Sequence, residues 1–91
     1  MRNVTLYFPA IKMYGNVTIT DGAAIFKMND WTKAHELYMS HVKDKTAEAL
    51  KIHWDQESKA MVQLFPMKSE AEVLSLIKQE LHKAKVKVKE Q

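Results

Sequence analysis

Histidine is the residue of this chain best suited to bind a metal or move a proton, and the sequence has four histidines but no cysteine. His35 and His41 are six residues apart on a predicted helix, which places them on different helix faces and argues against a metal pair. His53 and His82 stand alone in the sequence. Ser40 directly precedes His41, so their side chains point apart on a helix. The sequence therefore predicts no enzyme, no metal site and no cofactor.

Contact with nucleic acid is a chemistry that the sequence supports better. Five residues of a predicted hairpin alternate with apolar positions and would share its outer face: Lys51, His53, Met61, Gln63 and Phe65. An aromatic ring and a methionine there would stack on bases while the cations meet phosphates, as on other open sheets that bind single strands. The alternative is that the N-terminal strands or a dimer partner cover this face.

The C-terminal part of the chain forms a second candidate surface. Residues 73–91 carry five lysines against two glutamates, although the formal net charge of the whole chain is only +3. Such a basic end attracts polyanions, but lysine near a helix C-terminus also stabilises the helix dipole by itself. The cationic residues of this end are Lys78, His82, Lys83, Lys85, Lys87 and Lys89.

Length and composition limit the organisation of the chain. Its 91 residues predict one domain, which we place at residues 1–85, followed by a basic tail at 86–91. Hydrophobic residues make up 46% and charged residues 27%, which is typical of a folded globular protein. No secretory signal and no apolar run of membrane-spanning length is visible. Together with the lack of cysteine, this predicts a cytoplasmic protein that does not enter a membrane.

The N-terminal part predicts a three-stranded antiparallel meander. Residues 4–8 alternate with period two, and Pro9-Ala10 would form a bulge before the strand resumes at Ile11 and Met13. Tyr14-Gly15-Asn16 is then predicted as a three-residue hairpin loop, with Met13 facing Val17 and Ile11 facing Ile19.

Asp21-Gly22 is a stronger turn signal, because this dipeptide is favoured in two-residue type I′ turns. The turn would pair Val17 with Phe26 and Ile19 with Ala24, which places all four apolar side chains on the buried face.

Two helices are predicted. The first should begin at Asn29 or Asp30, end near Lys43-Asp44-Lys45, and bury one stripe: Trp31, Ala34, Leu37, Tyr38 and Val42. The second opens with a capping box at Ser69 and Glu72. Its apolar stripe has helical spacing: Val73, Leu74, Ile77, Leu81 and Ala84.

A second hairpin is predicted between the helices, with its turn at residues 55–58. Leu50, Ile52 and Trp54 alternate with polar residues, and residues 59–65 return as the partner strand. In this interpretation Val62 and Leu64 point at the helices. Residues 46–50 fit either helix or strand.

Strand–helix junctions at Phe26-Lys27-Met28 and Phe65-Pro66-Met67 repeat at an offset of 39, which suggests a duplicated hairpin–helix unit. The fold prediction is α+β: an antiparallel sheet with two helices packed on one face, in the order β-β-β-α-β-β-α. The alternating residues 85–89 would fray or add an edge strand.

The function predicted from these features is non-enzymatic binding of nucleic acid, RNA or a single strand rather than a specific duplex site. The C-terminal lysines would contact phosphates, and Phe65 or Tyr14 would stack on bases. The alternative is a protein-interaction module, an inhibitor or adaptor that binds a protein partner through its sheet face or an edge strand. A homodimer is compatible with both hypotheses.

Overall fold

The structure, a computed structural model, describes residues 1–8, 12–83 and 88–90. Its elements are β1 (Arg2–Phe8), β2 (Met13–Thr20), β3 (Ala23–Met28), α1 (Trp31–Lys43), β4 (Ile52–Asp55), β5 (Ala60–Leu64), α2 (Glu70–Lys83) and β6 (Val88–Glu90). Within the described residues the strands form one antiparallel sheet in the order β4-β5-β3-β2-β1-β6, and both helices pack on one face. The predicted class, element order and helix packing are confirmed, and residues 88–90 form an edge strand.

The apolar residues of β2 and β3 build the buried side of the sheet. Val17, Ile19 and Ala24 are 0% exposed, and Phe26 is 6% exposed. Val17 pairs with Phe26 and Ile19 with Ala24, as predicted. The helix α2 adds three residues to the same core: Val73, Leu74 and Ile77.

The turn that joins β2 to β3 has the predicted two-residue length but not the predicted type. Thr20 pairs with Ala23 across it, so the register is the one expected. Gly22 has a φ of +79°, whereas Asp21 is not among the residues with positive φ. Positive φ at the second central residue alone is the pattern of a type II turn, and type I′ requires it at both.

The predicted loop at Tyr14-Gly15-Asn16 is wrong, because these residues lie inside β2. In the observed register Val4 pairs with Val17, and the ladder extends from Arg2–Ile19 to Phe8–Met13. This arrangement pairs the whole of β1 and buries Val4 beside the core, where it is 2% exposed. Ile19 therefore faces Arg2 rather than Ile11. The predicted bulge at Pro9-Ala10 and the position of Ile11 lie outside the described residues.

The second hairpin turns at residues 56–59, one position later than predicted, with Asp55 paired to Ala60. Ile52 lies opposite Gln63, and Trp54 lies opposite Met61. Directly opposed residues of an antiparallel pair share one face. A turn with an even number of residues therefore places odd-numbered residues of β5 beside even-numbered residues of β4.

As a consequence, the predicted faces of β5 are exchanged. Met61 is 3% exposed in the core, and Phe65 packs against that core just after the strand. Val62 and Leu64 instead share the opposite face with His53. The prediction that Val62 and Leu64 point at the helices, while Met61, Gln63 and Phe65 point away, is wrong.

The helix α1 begins and ends where the sequence predicts. Asp30 is its N-cap and accepts a hydrogen bond from the Thr32 backbone N–H at 3.0 Å. Bonds from the Thr32 hydroxyl and backbone lower the pKa of Asp30. After the C-cap, Lys45 has a φ of 65° and donates to the Val42 carbonyl, while Thr46 donates to the His41 carbonyl. These two bonds form a Schellman motif with lysine where glycine is usual.

The predicted stripe of α1 is buried only in its middle. Ala34 is 1% exposed and Leu37 and Tyr38 pack on the core, but Trp31 is 44% and Val42 40% exposed. Residues 46–50 form hydrogen-bonded turns rather than a helix or a strand.

The helix α2 is capped from two directions. Ser69 and Glu72 form the predicted capping box: the Glu72 backbone N–H donates to the Ser69 hydroxyl at 3.3 Å, and the Ser69 backbone N–H donates to the Glu72 carboxylate at 3.3 Å. In addition, the Asp21 carboxylate accepts from the Glu70 backbone N–H at 2.8 Å. The β2–β3 turn is therefore attached to the first turn of α2.

Replacing Asp21 with alanine should destabilise the fold, because it leaves the Glu70 N–H without this acceptor. We expect a loss of about 1 kcal/mol in the free energy of unfolding, the usual cost of losing a helix-capping acceptor. Asp21→Asn keeps a side-chain oxygen and should lose less. Urea unfolding followed by circular dichroism measures both, and an Asp21→Ala variant as stable as the parent chain would contradict this role.

Replacing Lys45 with glycine should stabilise the chain. A left-handed conformation costs an L-residue roughly 1–2 kcal/mol, and this outweighs the ~0.5–1 kcal/mol of extra flexibility that glycine brings. Lys43→Gly, inside the helix, should lower stability by about 1 kcal/mol in the same urea titration. Equal losses for both variants would show that residue 45 is not left-handed.

Candidate functional site

The face of the sheet opposite the helices, called here the reverse face, is defined by the strand register. Its residues are Asn3, Thr5 and Tyr7 of β1; Tyr14, Asn16, Thr18 and Thr20 of β2; Ala23, Ile25 and Lys27 of β3; Ala60, Val62 and Leu64 of β5; and His53 and Asp55 of β4. Ala60 and Val62 are buried, and the others are exposed or half-buried. Most of this face is therefore open to a ligand.

Two tyrosines lie side by side on the reverse face. Tyr7 pairs with Tyr14 in the β1–β2 ladder, with ring centroids 5.0 Å apart and ring planes tilted by 59°. Tyr14 is 60% exposed and Tyr7 is half-buried. An exposed aromatic pair on a sheet can stack on planar ligands, whereas a pair that only stabilises the fold is normally buried.

Polar side chains continue this surface along β1 and β2. The Thr5 hydroxyl donates to the Asn16 side-chain oxygen at 3.2 Å, and the Thr18 hydroxyl donates to the Asn3 side-chain oxygen at 3.0 Å. Each amide oxygen thus accepts a bond within the sheet. The amide NH₂ groups supply donors, and the threonine oxygens supply lone pairs, for hydrogen bonds with a ligand.

A groove of about 470 Å³ runs beside the exposed tyrosine. It is lined by Thr5, Tyr14, Gly15, Asn16, Lys27, Met28 and Asn29. An aromatic ring, an amide and an ammonium group therefore border one groove. Base, sugar and phosphate are the chemical groups that such a set can contact together.

The charge on the reverse face is uneven. Asp55, at the far corner on β4, is the one carboxylate among its defined residues. The Ser58 hydroxyl, 2.7 Å away, is the largest cause that lowers the pKa of Asp55, so this group stays ionised at neutral pH. An anionic ligand is repelled from the β4 corner and favoured at the β1–β3 end, where Lys27 lies.

The structure separates the residues that the sequence analysis grouped as one outer face. His53 lies exposed on the reverse face, and Lys51 is exposed in the turn before β4, with a φ of 56°. Gln63, which pairs with Ala24 and Ile52, is half-buried on the helix side. Phe65 packs against the core there, so it is not available on the reverse face.

The predicted basic helix end is only partly described. Lys78 is exposed on α2, which packs on the face opposite to that of His53. His82 and Lys83 belong to α2, and the structure describes only their backbone. Lys85 and Lys87 lie outside the described residues. The two predicted surfaces therefore do not merge through Lys78.

Four residues of the reverse face between β1 and β3 were not predicted from the sequence: Thr5, Tyr7, Asn16 and Lys27. Their position could have been predicted from the alternation of apolar and polar residues along β2 and β3. Once Val17 and Phe26 are placed inside, Asn16 and Lys27 must point out. The incorrect loop at residues 14–16 removed Asn16 from the sheet and hid the pairing of Tyr7 with Tyr14.

A second aromatic cluster lies between α1 and β4, on the helix side. The His35 ring meets Trp54 edge to face at a centroid distance of 4.9 Å, and Tyr38 lies 6.1 Å from Trp54. The Lys59 ammonium group covers the Trp31 ring at 4.7 Å. These contacts attach α1 to the second hairpin, and they give His35 a packing role.

Two further features are absent from the part of the chain that the structure describes. No group of three His, Asp or Glu side chains is placed to hold a metal ion there. Neither described helix is long and apolar enough to cross a membrane. Comparisons with protein-family models, with curated proteins and with solved structures find no match.

Proposed function

We propose that this chain binds single-stranded nucleic acid on the reverse face of its sheet, without catalysis. The observation that carries the proposal is the exposed tyrosine pair, Tyr7 and Tyr14, on an open antiparallel sheet. Aromatic residues exposed on an open sheet can stack on unpaired bases.

Electrostatics support an anionic ligand at the same end of the sheet. Lys27 lines the groove beside Tyr14, and no carboxylate lies on the defined reverse face of β1, β2 or β3. The strand β6 pairs with β1, which places Lys89 at the register position opposite Thr5, two residues from Tyr7. Lysines at two register positions in the row next to the tyrosine pair agree with a polyanion rather than a neutral ligand.

A single strand fits this surface better than a duplex. The major groove of DNA is read by a helix or a two-stranded ribbon that can enter it. The tyrosine pair instead lies on a broad sheet, where unstacked bases can reach the rings. RNA and single-stranded DNA share this chemistry.

A protein partner is the second candidate, and a specific observation favours it. Leu64 is 42% exposed on the reverse face, and its neighbour Ile25 is half-buried. These residues form an apolar strip on β3 and β5, away from the tyrosines. A protein that covered this strip would bind through Leu64 and would be insensitive to salt.

Truncation of the tyrosines separates these candidates. We expect Tyr14→Ala to weaken binding of a fluorescent uridine or thymidine oligomer by roughly 5- to 150-fold, the ~1–3 kcal/mol that stacking of one base supplies. Tyr14→Phe should bind like the parent chain, because it keeps the ring. Fluorescence anisotropy at low salt measures the dissociation constants.

Trp31→Ala is the matched control, since it removes an exposed aromatic ring from α1 on the other side of the sheet. Leu64→Ser tests the protein-binding alternative and should leave oligomer binding unchanged. If the parent chain binds neither oligomer at low salt, the proposed function is wrong.

A further inference from the structure

Four residues with complementary chemistry form one transverse row across the sheet. Lys89 of β6 occupies the register position opposite Thr5 of β1. Thr5 is opposite Asn16 of β2, and Asn16 is opposite Lys27 of β3. The row therefore has a lysine at each end and a hydrogen-bonded Thr–Asn pair in the middle.

The dimensions of this row follow from sheet geometry. Neighbouring strands lie about 4.8 Å apart, so three steps from β6 to β3 span roughly 14 Å. The tyrosine pair occupies the adjacent row, because Tyr7 follows Thr5 by two residues and Tyr14 precedes Asn16 by two. A rise of about 3.4 Å per residue places the two rows roughly 7 Å apart.

We propose that the nucleic acid strand crosses the sheet transversely, from β6 to β3. Lys89 contacts one phosphate, Lys27 contacts another, and Tyr7 and Tyr14 stack on the bases between them. This inference rests on the proposed function and adds to it the path of the strand and its two phosphate contacts. Lys89 belongs to the basic C-terminal end that the sequence analysis predicts to contact phosphates, whereas Lys27 was not among the residues predicted to form the site.

The arrangement of charge favours this path over one parallel to the β-strands. The row on the other side of Thr5 and Asn16, away from the tyrosines, begins with the polar residues Asn3 and Thr18. It continues with the apolar residues Ile25 and Val62. On β4 that row continues to His53, opposite Val62, whereas Asp55 is opposite Ala60 and so lies in the row of Lys27, two strands beyond it. A phosphate backbone directed along the strands would leave the two lysines of the transverse row, and a backbone on the transverse path ends at Lys27, before it reaches Asp55.

The relative position of the two tyrosines also supports a transverse path. Tyr7 and Tyr14 are neighbours across two strands rather than along one strand. Successive bases stacked on the two rings therefore progress across the sheet, in the direction of the row that ends in the two lysines. On this path the tyrosine pair fixes the bases, and the lysines fix the backbone on either side.

The salt dependence of binding tests the two phosphate contacts. For a single strand, the slope of log K against log salt concentration is about −0.7 per phosphate neutralised. Lys27→Gln and Lys89→Gln should each make the slope less negative by about 0.7, and the double variant by about 1.4. The probes are fluorescent seven-residue uridine and thymidine oligomers, measured by anisotropy across a salt series.

Two controls complete the experiment. Lys33→Gln removes a lysine from α1, where its ammonium group lies 3.6 Å from the Glu36 carboxylate, and should leave the slope unchanged. Tyr14→Ala should weaken binding without changing the slope, because a stacked base releases no counterion. A slope change with both oligomers supports a shared phosphate contact, and one confined to uridine supports the same path with RNA as the ligand.

The transverse path is overturned if the parent chain binds and Tyr14→Ala weakens binding, yet neither lysine variant changes the slope. In that case the proposed function stands and the path is wrong. If the parent chain does not bind either oligomer, the proposed function fails and the path fails with it.

Discussion

The alternation of side chains along β2 and β3 is the constraint on which the rest of this structure depends. Val17 and Ile19 on one strand and Ala24 and Phe26 on the other lie directly opposed and almost fully buried. A shift of one residue in either strand would expose its apolar side chains and bury polar ones. Each large apolar side chain is worth about 1.5–3 kcal/mol when buried, which holds the register in place.

Everything on the two faces of the sheet follows from this register. Both helices must pack where the apolar side chains point, and Asp21 reinforces this by capping the first turn of α2 from the β2–β3 turn. The residues between the buried ones, such as Asn16, Thr18 and Lys27, must then lie on the reverse face. The open face and its chemistry are therefore the necessary counterpart of the core rather than an independent feature.

The part of the fold that could be predicted from sequence is the part with one dominant local signal. Asp21-Gly22 specified a two-residue turn, and Ser69 with Glu72 specified a helix start, because glycine conformation and capping act over a few residues. Tyr14-Gly15-Asn16 carried a similar turn signal but lies within β2. There, pairing all of β1 with β2 outweighed the local preference of Gly15 and Asn16.

The error at the second hairpin has a different physical cause. Ala60, Val62 and Leu64 are as apolar as Met61 and Phe65, so hydrophobicity alone does not identify the buried face of β5. The length of the turn decides it, through the register of Asp55 with Ala60. The repeat at an offset of 39 indicates the correct face for Phe65. Its counterpart Phe26 is buried, and Phe65 packs on the core as well.

The candidate site depended on these same two assignments. Phe65 was predicted to be exposed because β5 was assigned the wrong face, and Tyr7 and Asn16 were missed because β2 was cut short. Tyr14 was proposed as a stacking residue even so, and it is 60% exposed beside Tyr7. Pairing between distant strands brings such residues together, and no local pattern records it.

Mapping of amide chemical shifts by nuclear magnetic resonance tests the central claim most directly. A ¹⁵N-labelled chain titrated with a uridine oligomer should show its largest shifts on the reverse face, at Tyr7, Tyr14, Asn16 and Lys27. The exposed surface of α1 should change little. The largest shifts at α1 residues such as Met39 and Val42, with the tyrosine pair unaffected, would contradict the assignment of the reverse face as the binding surface.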